Sequence, residues 1–106
     1  MKTSEKEIIH NYYSAWVENN KKTVQSLLAT DLHFKSPNDE FHSAEEFLKD
    51  CWKYSSFFQS FDLVQEIYSN NKAYIVYEMK DLNVGEFIKL ENCKIKGIYV
   101  TFNPTI

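Results

Sequence analysis

The sequence predicts an α+β fold in which a curved antiparallel sheet wraps around three N-terminal helices. Apolar residues recur every three or four positions up to about residue 54, which is the period of an amphipathic helix. From residue 57 onward they alternate, which is the period of a strand. With only two glycines and two prolines in 106 residues, the connections are expected to be short. A bent sheet packed on helices leaves room for a cavity.

The first helix is expected to begin at Ser4, which forms a capping box with Glu7. The pair Asn19-Asn20 interrupts its pattern. Between Ser4 and Asn19, apolar residues recur at i, i+3, i+4 and i+7 and mark one buried face of the helix: Ile9, Tyr12, Tyr13 and Trp16.

Two further helices are predicted at about residues 21–29 and 44–54. The first follows a short polar connection, so helices one and two are expected to pack as a hairpin. The second follows Ser43, which forms a capping box with Glu46. Between them, residues 32–35 form a short strand that ends at Ser36-Pro37, and Phe41-His42 add a brief second strand.

The second half of the chain is predicted to consist of four strands joined by short turns. Asn70-Asn71 has the composition of a tight hairpin turn, and further turns are expected at 81–83 and at Asn92-Cys93. Strands that follow one another through such short turns pair antiparallel. We therefore expect the whole chain, residues 1–106, to form a single domain.

Composition excludes several classes of function. The net charge is −3, and all twelve basic residues are lysines. Arginine is the side chain that binds phosphate and carboxylate in a bidentate manner, so its absence argues against a nucleic-acid partner. No apolar run approaches the roughly 20 residues of a membrane span, and the polar N-terminus is unlike a signal peptide. We expect a cytoplasmic protein in which Cys51 and Cys93 are reduced thiols.

Four segments together resemble the nuclear transport factor two-like superfamily, in particular its SnoaL-like group. The first is the aromatic helix 12–16 followed by Asn19-Asn20, and the second is residues 27–37, which contain a leucine pair, an acidic turn, a strand and a proline. The third is the helix start at 43–47, and the fourth is the closing strand at 94–102. The chain departs from the superfamily pattern at Asn19-Asn20, where Gly-Asp is usual. The resemblance implies a cone-shaped α+β barrel with an apolar pocket, commonly dimeric through its sheet. It implies no particular reaction.

The ketosteroid isomerases of this superfamily need a carboxylate base, a tyrosine and a protonated aspartic acid. Laid on this chain, Tyr12 matches the tyrosine. Ser36 stands where the base is expected, and Gly85 stands approximately where the neutral acid is expected. Since a serine hydroxyl does not accept a proton at neutral pH without its own base, the resemblance leaves enzymatic activity undecided.

Two other activities of the superfamily depend on particular residues. The epoxide hydrolases hold a water with an Asp-Arg-Asp set, which a chain without arginine cannot supply. The polyketide cyclases use a pocket carboxylate or histidine, for which His33, Glu78 and Glu86 are candidates. His33 is expected to face away from the interior if Leu32 and Phe34 face inward. Glu78 becomes a buried acid only if its strand face lines the pocket.

The strongest positive feature is the aromatic content of 16%. Most of these rings are expected to form the core, yet some could surround an apolar cavity for a small molecule. The candidate ligand-binding residues are Tyr12, Tyr13, Trp16, Phe34, Trp52, Phe58, Tyr77, Phe87 and Tyr99. No metal-ligand spacing and no phosphate-binding loop is found, so we expect no metal and no cofactor.

The leading hypothesis is a homodimeric domain, paired through its sheet, that binds a small apolar or aromatic molecule. One alternative is an isomerase, cyclase or dehydratase that uses Glu78 with Tyr12 or Tyr13. The other alternative is a protein-interaction module that presents its open sheet face.

Overall fold

Three α-helices and one six-stranded sheet make up the computed structural model, which describes residues 4–79 and 82–104. In chain order the elements are α1 (Glu5–Val17), α2 (Lys21–Leu27), β1 (Leu28–Lys35), β2 (Glu40–Phe41), α3 (Ala44–Cys51), a 3₁₀ segment (Trp52–Ser60), β3 (Asp62–Ser69), β4 (Lys72–Met79), β5 (Leu82–Glu91) and β6 (Lys94–Pro104). The predicted order of helices and strands is confirmed. Among the described helices, none has the length and apolar character that a membrane crossing requires.

Side-chain caps begin each helix where the sequence indicated. The Ser4 hydroxyl accepts a hydrogen bond from the Glu7 N–H at 3.2 Å, and the Ser43 hydroxyl accepts one from the Glu46 N–H at 3.1 Å. Asn19 has a φ of 60°, a left-handed conformation that asparagine tolerates and that ends α1. The side chain of Asn20 then accepts a hydrogen bond from the backbone of α2.

The third helix is shorter than predicted because its last part winds as a 3₁₀ segment. A 3₁₀ helix has three residues per turn, so Trp52 and Phe58, six positions apart, face the same side. An α-helix would turn these two rings roughly 120° away from each other. Both rings pack on Trp16, with centroid distances of 4.6 Å for Trp52 and 5.0 Å for Phe58. Aromatic packing on α1 therefore favours the tighter winding.

The strand order is β2-β1-β6-β5-β4-β3, so the sheet is open and has two edges. The four long strands pair antiparallel as predicted, through turns at Asn71 and at Asn92-Cys93, all three of which have positive φ. The pair β1–β6 is parallel, which makes the whole sheet mixed rather than purely antiparallel. Residue 81, the first of the predicted turn at 81–83, lies outside the described residues, and β5 already begins at Leu82.

One face of the sheet packs on the helices, and we call this the inner face. The most completely buried side chains come from the inner face and from the helices and β1 that pack with it: Ile9, Val24, Leu32, Ile75, Val84, Ile88, Ile95 and Ile98. The register shifts between Leu63 and Gln65, so the strict alternation predicted for β3 is broken there. A register shift also separates Lys89 from Leu90 where β5 pairs with β6. Such bulges add twist and so help the sheet to curve around the helices.

Candidate functional site

A cavity of about 290 Å³ lies between the helices and the inner face of the sheet. Residues of α1, α3, the 3₁₀ segment, β1, β4, β5 and β6 line it. Buried rings form much of the wall: Tyr12, Trp16, Phe34, Phe47, Phe58 and Tyr77. Its lining also includes exposed residues, among them Asp39, Tyr54 and Phe102, so the cavity is open to solvent on that side.

Glu86 is the one charged residue that is buried among the described residues, with 7% of its surface exposed, and it lines this cavity. Strand β5 positions it on the inner face, opposite Ile75 of β4 and Val100 of β6. Two tyrosine hydroxyls donate hydrogen bonds to it. Tyr13 reaches Oε1 at 2.5 Å, and Tyr77 reaches Oε2 at 2.6 Å. Each carboxylate oxygen therefore has a donor, as a buried acid requires.

Burial raises the pKa of Glu86 above its ordinary value, while the hydrogen bonds from Tyr13 and Tyr77 act in the opposite direction. Burial and the charge of Glu86 also raise the pKa values of Tyr12, Tyr13 and Tyr77 well above 10.0. All three hydroxyls consequently stay protonated at neutral pH. The site combines one titratable acid with a set of fixed hydrogen-bond donors.

Two polar groups beside the cavity lack well-directed partners among the described residues. The indole N–H of Trp16 is buried and forms no hydrogen bond of the usual geometry. It does lie near the Tyr12 hydroxyl, and this proximity offsets part of the rise in the pKa of Tyr12. The Tyr12 hydroxyl likewise donates to no described side chain. The Tyr12 hydroxyl, which lines the cavity, can donate to a guest that carries an oxygen acceptor.

Five of the nine aromatic residues selected from the sequence line the cavity: Tyr12, Trp16, Phe34, Phe58 and Tyr77. Tyr13 reaches the same carboxylate, but its ring lies in a neighbouring groove of about 340 Å³ between α1 and β3. Trp52 packs behind Trp16 and does not line the cavity. The 3₁₀ winding explains this position, because it turns Trp52 toward α1.

Phe87, Tyr99 and Glu78 must be corrected, because all three lie on the outer face of the sheet. Phe87 pairs directly with Tyr99, and each neighbours an inward residue, Glu86 and Val100 respectively. Glu78 is exposed on the same strand face as Tyr74, away from the helices. It therefore does not share a cavity with a tyrosine hydroxyl, and the catalytic pairing of Glu78 with Tyr12 or Tyr13 is wrong.

Glu86, which the sequence offered as a cyclase candidate, is the strand neighbour of Gly85. Gly85 faces outward, and a Cβ there would lie 2.5 Å from the Tyr74 hydroxyl oxygen. Since neighbouring strand residues point to opposite faces, Glu86 occupies the inward position. Ser36 does line the cavity, but its hydroxyl accepts hydrogen bonds from the backbone N–H groups of Asn38 and Asp39.

The buried cysteine in the lining, Cys51, has no sign of reactivity. Burial raises the pKa of its thiol to about 12, so the thiolate, which is the nucleophilic form, is scarcely populated at neutral pH. The candidate chemistry of the cavity therefore rests on Glu86 and the tyrosines.

No protein-family model matches the sequence, and no curated protein matches it significantly. Solved structures do match. An NTF2-like protein of unknown function from Cytophaga hutchinsonii has a TM-score of 0.86 at 16% identity, with 98% of this chain and 94% of that chain covered. A de novo designed protein with a curved β-sheet has a TM-score of 0.83 at 16% identity, covering 96% and 89%. A polyketide cyclase candidate from Sinorhizobium meliloti has a TM-score of 0.78 at 12% identity, covering 89% and 93%.

These likenesses establish the NTF2-like α+β fold predicted from the sequence. At such identities they establish the fold alone, and the designed protein among them illustrates that the fold can exist apart from a natural activity. A function for this chain therefore has to be inferred from the residues that line its cavity.

The raised pKa of Glu86 predicts a specific dependence of stability on pH. Between 4.5, its ordinary pKa, and the higher folded-state value, the folded protein binds more protons than the unfolded chain. The contribution of this group to the free energy of unfolding therefore falls as the pH rises through that window. We expect Glu86→Gln to gain stability relative to the wild type from pH 4.5 upward, measured by urea unfolding at a series of pH values.

The matched control is Glu78→Gln, which removes an exposed carboxylate from the neighbouring strand. Its pH profile is the reference for the loss of one exposed carboxylate, against which the profile of Glu86→Gln is compared. A Glu86→Gln profile that matches this reference would contradict a carboxyl whose pKa is raised by burial.

Proposed function

We propose that this chain binds a small, mainly apolar or aromatic molecule in the cavity, with a polar group of that molecule directed toward Glu86. The observation that carries the proposal is the presence of a buried carboxyl, held by two tyrosine hydroxyls, in the wall of an aromatic cavity. Binding pockets for small molecules typically combine apolar walls with a few converging polar groups. We also propose a cytoplasmic location, in keeping with the polar character of the chain.

The cavity volume limits the size of the guest. A dry cavity of about 150 Å³ in another protein accepts benzene, so about 290 Å³ offers room for a molecule of one or two rings. Larger ligands would have to extend past the exposed rings of Tyr54 and Phe57, which also belong to the lining.

The charge of the lining selects against anions. It contains two acids, Glu86 and Asp39, and no lysine or histidine among the described residues. A phosphate or carboxylate would meet no cation there. A neutral molecule with a hydroxyl or carbonyl group fits better, since the Tyr12 hydroxyl in the lining can donate to an oxygen acceptor.

A second candidate function is acid–base catalysis by Glu86. The supporting observation is that burial raises the pKa of this carboxyl while Tyr12, Tyr13 and Tyr77 remain protonated around it. A buried acid whose pKa is raised can act as a general acid or base, and the Tyr12 hydroxyl, which does not donate to Glu86, can donate to a developing oxyanion. An isomerase, cyclase or dehydratase would use these elements, with Glu86 in the role that the sequence assigned to Glu78.

The outer face of the sheet supports the predicted pairing with a second copy. Ile67 and Tyr74 are 51% and 41% exposed there and pair with each other across β3 and β4. Half-buried Val76, Phe87 and Tyr99 extend the apolar surface toward β6. A broad apolar sheet face of this kind is suited to an isologous dimer, in which both copies contribute the same patch.

The ligand proposal can be tested with 2-naphthol and 1-indanone, two neutral aromatic probes of suitable size. We expect ligand-observed NMR to show saturable binding to the wild type. Val100→Phe should abolish it by filling the cavity, whereas Val64→Phe, the same change at an exposed site, should not. If Val100→Phe does not fold, Leu82→Phe blocks another part of the lining. Binding that survives both blocking changes would place the probes elsewhere and contradict the proposal.

Catalysis by Glu86 predicts proton exchange on a bound ketone. In D₂O, the wild type and Glu78→Gln should accelerate exchange of the α-hydrogens of 1-indanone, and Glu86→Gln should lose about 10²-fold or more of that acceleration. Proton NMR follows the reaction directly. An exchange rate equal to that of buffer for the folded wild type would reject the catalytic function while leaving ligand binding intact.

Dimerisation through the outer face predicts that Ile67→Lys or Tyr74→Lys yields a monomer. A buried lysine in an apolar interface would lose its hydration without gaining a partner. Sedimentation velocity measures the outcome, with Val17→Lys, an exposed apolar position on α1, as the control. A wild type that sediments as a monomer at high concentration would contradict the pairing.

A further inference from the structure

His33, Glu40 and His42 form a cluster on the outer face of the sheet, at the edge where β2 ends. One side-chain ligand atom from each residue lies within 4.8 Å of the other two. His33 Nε2 lies 2.7 Å from Glu40 Oε2, and His42 Nε2 lies 3.8 Å from the same oxygen. The two imidazole rings stack with their planes 9° apart. The spacing of these residues along the sequence did not indicate a metal site, but the strand pairing brings them together.

We propose that this cluster binds a divalent transition-metal ion, Zn²⁺ foremost, through His33 Nε2, the Glu40 carboxylate and His42 Nε2. Two imidazoles and one carboxylate are a ligand set that Zn²⁺ uses in proteins, with a further position left for water or another ligand. In a tetrahedral zinc site, neighbouring ligand atoms are about 3.3 Å apart. The two distances within the cluster, 2.7 and 3.8 Å, lie on either side of that value.

Backbone register explains why the three side chains meet. Phe34 of β1 pairs with Phe41 of β2, and Lys35 pairs with Glu40. The rings of Phe34 and Phe41 pack together, 5.9 Å apart, on the side of the sheet that carries Phe47 of α3. Their strand neighbours therefore point to the opposite side.

The turn between the two strands is tied by its own hydrogen bonds. The Ser36 N–H donates to the Asp39 carbonyl oxygen at 2.8 Å, and the Ser36 hydroxyl accepts from the Asp39 N–H at 3.1 Å. This closed turn fixes the register of β2, so the positions of Glu40 and His42 relative to His33 do not depend on the metal. The three side chains are therefore close together before a metal ion binds.

A neighbouring tyrosine orients His33. The Tyr99 hydroxyl lies 3.1 Å from His33 Nδ1, on the ring nitrogen that faces away from Glu40. Because a hydroxyl can accept as well as donate, it can hold the tautomer with a proton on Nδ1, which leaves Nε2 free for a metal. Gly97, opposite His33, makes the contact sterically possible, because a Cβ there would lie 3.0–3.3 Å from the Tyr99 ring and hydroxyl.

The electrostatics favour a cation at this position. Glu40 supplies the one carboxylate of the cluster, and its Oε2 lies 2.7 Å from His33 Nε2 and 3.8 Å from His42 Nε2. Lys35, the strand partner of Glu40, opposes a metal with its own positive charge. Two neutral imidazoles and one carboxylate would leave the bound ion with a net charge of +1, which suits an additional anionic or water ligand.

The experiment is isothermal titration of ZnCl₂ into chelator-treated protein that carries no histidine tag. We expect one site per chain, weakened at least tenfold by His42→Ala and by Glu40→Gln. Tyr99→Phe, which removes only the orienting hydroxyl, should weaken binding about tenfold. His42 is 74% exposed at its side chain, so its removal leaves the fold intact.

Two control variants separate this site from other zinc-binding groups. His10→Ala removes a histidine that also contacts a carboxylate, Glu66 at 2.6 Å, but that has no third ligand beside it in the described part of the chain. Cys93→Ser removes the exposed thiol. Both should bind Zn²⁺ as the wild type does. Equal affinity of the wild type and His42→Ala, or loss of binding in Cys93→Ser, would overturn the proposal.

Discussion

The alternation of side chains along β4, β5 and β6 is the constraint on which the rest of the molecule depends. These strands are central in an open sheet, and only one of their faces is covered by helices. Each residue therefore belongs either to the cavity or to the outer surface, and its neighbour belongs to the other. Glu86 and Phe87 show the consequence, since one holds the buried charge and the other lies outside. A slip of one residue would exchange the two surfaces completely.

Burial of Glu86 is costly, and the surrounding structure is arranged to limit that cost. An unpaired carboxylate in an apolar interior is unstable and tends to become protonated. Here two tyrosine hydroxyls satisfy its oxygens, one from α1 and one from β4, so the acid links the helix layer to the sheet. Such a polar contact specifies how α1 sits on the strands more sharply than apolar packing alone. The same contact leaves a buried carboxyl group at the cavity wall.

The sequence predicted the element order, the capping boxes and the asparagine turns, because each depends on a few adjacent residues. It also pointed to five rings of the cavity wall. It placed Phe87 and Tyr99 wrongly because aromatic character alone does not reveal which strand face is covered. The alternation of one set of positions with the other along β5 contained that information: Val84, Glu86, Ile88 and Leu90 against Gly85, Phe87, Lys89 and Glu91. Applied to β5, it would have selected Glu86 over Glu78. The parallel pairing of β1 with β6 could not be anticipated, since it joins segments some 60 residues apart.

The open sheet also leaves β3 as an edge strand of eight residues whose outward backbone groups have no strand partner among the described residues. This strand contains neither lysine nor proline, the residues that commonly discourage another chain from adding to an exposed edge. The irregularity at Val64 also discourages such pairing, because a bulged and more strongly twisted edge is a poor template for an incoming strand. The same irregularity that bends the sheet around its helices thereby helps keep the protein from polymerising edge to edge.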